Sequence, residues 1–206
     1  MNLNTHNSNS GSVKVTDARS DASPDFGSAE ETGRGMNEAI RRGVADGLGL
    51  GESLGQALVG LETTDSLLLN AYRNSTPVTV HVAIGTDTPH THPAADGAAI
   101  GAGTLRDFRL FCSLTAGLND GGVFLNVGSA VVMPEVFLKA VSAARNVGHP
   151  LQRFTTVNLD FLQHYRPRVN VVQRPHAESG GRGYALTGHH ELMVPLLAAA
   201  LIESKA

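Results

Sequence analysis

Nine histidines and 19 carboxylates are spread over 206 residues, and a few short stretches gather them with glycine in patterns that could do chemistry. His90-Thr91-His92 is the sharpest of these. Alternate residues of an extended segment point the same way, so the two imidazoles could share one divalent metal, with Asp87 or Asp96 adding oxygen. The competing reading is a polar loop whose histidines bond backbone and help to hold an anion or another ligand. His189-His190-Glu191 begins a helix by pattern. Neighbouring helical side chains project about 100° apart, which suits one general acid or base better than a chelate. Gly180-Gly181-Arg182-Gly183 could let backbone N–H groups approach a phosphate, and Gly128-Ser129 falls where a strand would turn into a helix. Gly47-x-Gly49-x-Gly51 follows a helix rather than a strand, so it reads as a loop and not as a dinucleotide fingerprint. Cys112, beside Phe108 and Phe111, reads as core.

These groups need elements to position them. Residues 1–26 are rich in Asn, Ser, Asp and Gly and lack apolar periodicity, which predicts a disordered tail ahead of a single domain over 27–206. Ser28-Ala29-Glu30-Glu31 fits a capping box and predicts a helix to about Ala45. Leu54, Ala57, Leu58 and Leu61 have the spacing of a second helix with one buried stripe, and a third, short helix runs from about Asp65 to Tyr72. Val78 to Ile84 is β-branched and apolar on both parities, the pattern of a strand buried on both faces. A polar loop, Gly85 to Gly103, leads to a helix from Leu105 to Leu118 that Thr104 could cap. Val123–Val127 and Phe154–Leu159 read as further strands, separated by a helix with Pro134 in its first turn and Phe137, Ala140, Val141 and Ala144 on one face. Val169–Val172 reads as a fourth strand. A last helix, about His190 to Glu203, is expected to bury Met193, Leu196, Leu197 and Leu201. The alternation predicts an α/β fold with a mainly parallel sheet covered on both faces, and hence a ligand site beyond the carboxyl ends of the strands.

Composition narrows the function. The net charge of −3 lacks the basic excess that phosphate neutralisation requires, which argues against nucleic acid as partner. No apolar run approaches the roughly 18 to 20 residues of a membrane span, and the first residues lack a signal-peptide profile, so the expected location is cytoplasmic. One cysteine excludes an internal disulfide framework and a cysteine-rich zinc knuckle.

Several segments together resemble a bacterial family related to deoxyhypusine synthase. They are Phe26 to Gly33, the loop from Gly85 through His90, His92 and Asp96-Gly97, Leu105-Arg106-Asp107-Phe108-Arg109, Val127-Gly128-Ser129-Ala130, Thr156-Val157-Asn158-Leu159-Asp160-Phe161, and Gly188-His189-His190-Glu191. The resemblance covers about residues 26 to 203. It implies a Rossmann-like, three-layer domain that binds NAD, usually as a homotetramer with sites between subunits; for this chain a homo-oligomer (dimer or tetramer) and a small-molecule substrate are expected. Members of that family carry early strands ahead of the segment at Phe26, so the resemblance implies either a shortened chain or a misassigned start, and a sheet missing those strands would expose an edge and apolar surface. The synthase forms an imine on an enzyme lysine located after its glycine-rich loop. Here Gly183-Tyr184-Ala185-Leu186-Thr187-Gly188-His189 stands in that place, and no lysine lies between Lys139 and Lys205. An imine relay needs an amine nucleophile, so true deoxyhypusine synthesis is not expected.

The leading expectation is therefore a synthase-like α/β enzyme, transferase-like or oxidoreductase-like, with a diverged substrate. Gly85, Asp87, Gly128, Ser129, Asn158, Asp160 and Gly181 are its candidate NAD-binding residues, and His90, Asp96 and His189 its candidate catalytic residues. Two alternatives come from other classes. One is metal-dependent hydrolase or lyase chemistry by His90 and His92 with a carboxylate. The other is a catalytically inactive, truncated paralogue that keeps the fold as a binding module.

Overall fold

The computed structural model describes residues 30–61 and 66–204. The predicted tail over 1–26 and the Ser28 hydroxyl cap lie outside these residues. The chain divides into two compact units, one reaching Asp107 and one starting at Phe108. The fold is mixed α/β, with seven α-helical segments and a small parallel sheet of three strands among the described residues.

The first unit is helical. α1 (Glu30–Ala45) carries Glu30 and Glu31 in its first turn and Arg42 in its last, the charge order that the helix dipole favours. Its buried stripe is Asn37, Ile40 and Val44 with Ala39 and Gly43. α2 (Leu50–Ala57) buries small residues, Gly51, Ser53 and Gly55, beside Leu50. The expected leucine stripe is only partly realised, because Leu61 is 57% exposed beyond the end of the helix. Ser66 caps α3 (Leu67–Arg73), its hydroxyl accepting from the N–H of Leu69 at 3.3 Å. Ile40, Val44, Leu50, Ala99 and Ile100 form the core of this unit, with Leu54, Val80, Val82 and Ala95 packed against them.

Two expectations for this unit are corrected. Val78 to Ile84 forms no strand: it is extended, and side chains of the next helix take the backbone bonds that a neighbouring strand would otherwise supply. The N–H of Val80 donates to Asp107 Oδ2 at 2.8 Å, and that of Val82 to Thr104 Oγ1 at 3.1 Å. The Thr104 hydroxyl in turn donates to the carbonyl of Val80 at 2.8 Å. Secondly, α4 (Gly97–Ala116) begins a full two turns before Leu105. Asp96 is its cap, Oδ1 accepting from the N–H groups of Ala98 and Ala99 at 2.9 and 3.1 Å. Thr104 is therefore a mid-helix residue that ties down the extended segment. Asp107, 2% exposed, also accepts from the N–H of Gly51 at 3.1 Å, so one carboxylate anchors both α2 and residue 80.

The second unit holds the sheet. β1 (Val123–Val127), β2 (Thr155–Asp160) and β3 (Arg182–Thr187) are parallel in the order β1-β2-β3, with Asn126 opposite Asn158 and Asn158 opposite Ala185. α5 (Val132–Asn146) joins the first two strands. Pro134, Phe137, Ala140, Val141 and Ala144 are its buried residues, as its periodicity predicts. Phe137 stacks on Phe124 with ring centroids 3.7 Å apart, and Val141, Ala144, Leu151, Phe154 and Val171 complete the core.

Three expectations are corrected here. Val169–Val172 is a π-helical turn (Arg168–Gln173) that continues α6 (Tyr165–Pro167) and passes into a 3-10 turn (Arg174–His176). Its β-branched residues suggest a strand, but burial of Val171 in the core and the bond from Thr156 Oγ1 to the Val171 carbonyl (2.7 Å) hold a helical path. The third strand instead starts inside the glycine-rich stretch, at Arg182. The sheet is also covered unevenly: on the face that Val157 and Leu159 of β2 share by register, those two are buried, whereas Val123, Leu125, Val127, Tyr184 and Leu186 of the flanking strands are 41–55% exposed. Finally, α7 (His190–Glu203) buries none of its residues. It is apolar all round, so contact along one side leaves Met193 and Leu197 half-buried and Leu196 (66%) and Leu201 (55%) in solvent.

Candidate functional site

In a parallel sheet every strand ends at the same edge, so the segments after β1, β2 and β3 are neighbours although they lie 30 or so residues apart. Gly128 and Ser129 follow β1, Asp160 ends β2 and Phe161 to Gln163 follow it, and Gly188 and His189 lead from β3 into α7. The second unit thus brings together Gly128, Ser129, Asn158, Asp160 and His189 of the candidate set.

Gly128 has φ +69°, a left-handed conformation that glycine adopts without strain. Its N–H donates to the carbonyl of Leu159 at 3.1 Å, and a Cβ here would lie 3.2 Å from His190 Cε1. Ser129 caps α5 from outside, its hydroxyl accepting from the N–H of Met133 at 3.2 Å. His190 Nε2 lies 3.0 Å from the carbonyl of Leu159. A carbonyl only accepts, so Nε2 carries a proton, and in the neutral ring Nδ1 keeps the lone pair. His189 stacks on Phe161, its ring centroid 5.9 Å away and its plane nearly parallel, and its backbone carbonyl starts α7 by accepting from Leu192 and Met193. His190, rather than His189, is the imidazole tied to the sheet.

The centre of this edge is a line of side-chain amides. Asn126 Nδ2 donates to the carbonyl of Ser129 at 2.9 Å and to Asn158 Oδ1 at 2.7 Å. Asn158 Nδ2 donates to Gln163 Oε1 at 2.7 Å, and Gln163 Nε2 donates to the carbonyls of Asp160 (3.2 Å) and Leu186 (3.0 Å). Asn126 is 2% and Asn158 0% exposed. Asp160 is buried beside them, and its Oδ1 accepts from the N–H of Leu162 at 3.5 Å. Asn126, Gln163 and His190 were not among the candidates. The available signal was Asn126 itself, an asparagine inside Val-Phe-Leu-Asn-Val, where strand propensity and burial both disfavour it.

Gly181 lies at the opposite, amino-terminal edge, just ahead of β3, with its N–H 3.4 Å from Ser179 Oγ. A buried network surrounds it. The single proton of the Thr156 hydroxyl goes to the Val171 carbonyl, so His176 Nε2 donates to that hydroxyl at 2.7 Å, and His176 Nδ1 faces Ser179 Oγ at 3.4 Å. Burial, and then the Arg145 guanidinium, hold the His176 pKa below its ordinary value. Cys112 is half-buried, and burial raises its thiol pKa, away from the thiolate that a nucleophile requires.

The remaining candidates belong to the first unit. The N–H of Gly85 donates to His90 Nδ1 at 3.2 Å, and that of Ala94 to His92 Nδ1 at 3.0 Å. Asp87 Oδ1 accepts from the N–H of Thr88 at 2.8 Å, starting the 3-10 turn (Thr88–Thr91), and Asp96 caps α4. Both rings therefore carry their proton on Nε2 when neutral and keep no lone pair there for a metal. His92 Nε2 points toward Glu30 Oε1, 3.6 Å away. Among the described residues no group of three or more His, Cys, Asp and Glu side chains gathers to hold a metal ion. The turn uses the Nδ1 atoms of the two rings as acceptors for backbone N–H groups. No helix among the described residues is long and apolar enough to cross a membrane. No protein-family model, curated protein or solved structure matches the chain.

Proposed function

We propose that the carboxyl edge of the sheet binds a nucleotide, NAD in the first instance, in a Rossmann-like, deoxyhypusine synthase-like domain. The observation that carries this reading is the unit β1–Gly128–α5–β2–Asp160. It has the layout of a mononucleotide-binding βαβ: a glycine with positive φ directly after the first strand, a helix N-terminus beyond it, and a carboxylate at the end of the adjacent parallel strand. In this reading Gly128, lacking a Cβ, lets a phosphate approach the backbone, and the first N–H groups of α5 face the negative charge. Asp160 accepts ribose hydroxyls. His190 Nδ1, which holds the lone pair of the neutral ring, or His189 would accept the proton of a substrate hydroxyl whose carbon would give its hydride to a bound nicotinamide. With no lysine between Lys139 and Lys205, the edge supports transferase-like or oxidoreductase-like chemistry without an enzyme imine.

Self-association is part of the proposal. The exposed apolar side chains of the flanking strands and of α7 are surface that a second copy of the chain would cover. Light scattering at micromolar concentration should give a dimer or tetramer; a monomer contradicts this part.

Thermal titration with NAD tests the nucleotide reading. At 100 times the dissociation constant, binding to the folded state adds about 2.7 kcal/mol, a rise of roughly 5 to 10 °C for a chain of this length. A melting temperature unmoved by NAD, NADH, ADP-ribose and AMP would remove the reading.

A further inference from the structure

The amide line at the carboxyl edge has a direction, and the backbone sets it. Gln163 Nε2 lies 3.2 Å from the carbonyl of Asp160 and 3.0 Å from that of Leu186. Carbonyls only accept, so the NH₂ of Gln163 must face them and its Oε1 must face Asn158. Opposite an acceptor at 2.7 Å, Asn158 must present Nδ2, which turns its Oδ1 toward Asn126. Asn126 then presents Nδ2 to two further acceptors, Asn158 Oδ1 at 2.7 Å and the carbonyl of Ser129 at 2.9 Å. One atom remains. Asn126 Oδ1 is buried and has no hydrogen-bond partner. Rotating this amide to pair the oxygen differently would set oxygen against two acceptors, so the orphan is imposed by the network and is not an ambiguity of amide orientation.

An acceptor fixed in this way at a strand end, beside Gly128 and Ser129, is complementary to a donor. We propose that Asn126 Oδ1 is a recognition atom for a neutral O–H or N–H donor on the bound ligand, with Asn158 and Gln163 as positioning residues. The two groups bonded to Asn126 Nδ2 are a carbonyl and a carboxamide oxygen, neither of them charged, and the hydroxyl or primary amide proposed as donor is likewise neutral. This rests on the nucleotide reading and deepens it: the donor is a ribose hydroxyl or the nicotinamide amide.

Calorimetric titration of the full chain compares ligands that differ only in that donor: NAD with acetylpyridine adenine dinucleotide, and AMP with its two deoxyribose forms. One donor-deleted ligand should bind at least about tenfold more weakly than its parent, since the site leaves a buried polar atom unpaired without it. Asn126→Leu should abolish the discrimination, and so should Gln163→Met, which leaves Asn126 in place but releases the orientation of the line. Nucleotide binding without discrimination, or discrimination that survives in both variants, overturns the inference and leaves the nucleotide reading intact. If no nucleotide binds, the nucleotide reading fails. Thermal shifts with nicotinamide and ribose, against acetylpyridine and deoxyribose, then decide: a shift for the donor-bearing member alone, lost in Gln163→Met, sustains the recognition atom. Equal shifts or none overturn it.

Discussion

Asn158→Asp changes one NH₂ into an oxygen inside the amide line, with almost no change of volume. Asn158 is 0% exposed and holds Asn126 on one side and Gln163 on the other, both at 2.7 Å. The ionised carboxylate still accepts from Asn126 but sets oxygen against Gln163 Oε1. Turning Gln163 over only moves the conflict to the carbonyls of Asp160 and Leu186. The cost at neutral pH should be about 2 to 4 kcal/mol, the size of an unsatisfied buried charge-bearing contact, or roughly 5 to 15 °C in the unfolding midpoint of a chain this long. A protonated carboxyl, in contrast, donates to Gln163 Oε1 and restores the line. Its folded-state pKa must therefore lie above the unfolded value of about 3.9, by roughly 1.5 to 3 units for this cost. A group with a raised folded pKa contributes fully below the unfolded value and loses that contribution as pH rises through the folded one. The penalty relative to wild type should be near zero at about pH 4 and complete by about pH 7.5. Urea unfolding across that range, followed by hydrogen exchange of the β2 amides, reads it directly. Asn158→Leu supplies the control, with a loss independent of pH. An Asn158→Asp penalty that is equal at both ends of the range, or absent, would refute the directional network on which the proposed recognition atom depends.

Gly128→Val should strain a backbone at φ +69° and press on His190 Cε1, costing about 1 to 3 kcal/mol and raising the dissociation constant for NAD at least tenfold, as calorimetry would show. Asp107→Ala removes the acceptor of two backbone N–H groups and should destabilise the first unit by about 3 to 5 kcal/mol in denaturant titrations, whereas Asp107→Asn should lose less. His176 has its pKa depressed by burial first and by Arg145 second, so its neutral form is the one the fold holds. Stability linked to it is present above the ordinary value of 6.5 and lost as pH falls below that. His176→Gln should flatten the decline of the urea midpoint between about pH 7 and about pH 5.

Much of the second unit can be read from local pattern. The stripe of Phe137, Ala140, Val141 and Ala144 has one physical solution, a helix with those residues inward, and all four are buried in α5. Val123–Val127 and Thr155–Asp160 pair as parallel strands in the register that brings two asparagines together. Equally apolar, β-branched stretches at 78–84 and 169–172 form no strand. Their backbone bonds go to Asp107 and Thr104 in one case and into a helical turn in the other, and both outcomes depend on residues 15 or more positions away.

The site divides along the same line. Composition and periodicity by themselves determine an α/β chain with polar, glycine-bearing segments after its strands, because side-chain period and turn chemistry are local properties. Which of those segments share an edge, that Gly181 sits at the other end of the sheet from Gly128, and that His90 and His92 spend their Nδ1 atoms on backbone N–H groups are tertiary facts. So is the unpaired oxygen of Asn126. A carboxamide has no preferred sense by itself, and only the succession from two backbone carbonyls through Gln163 and Asn158 decides which of its atoms is left without a partner.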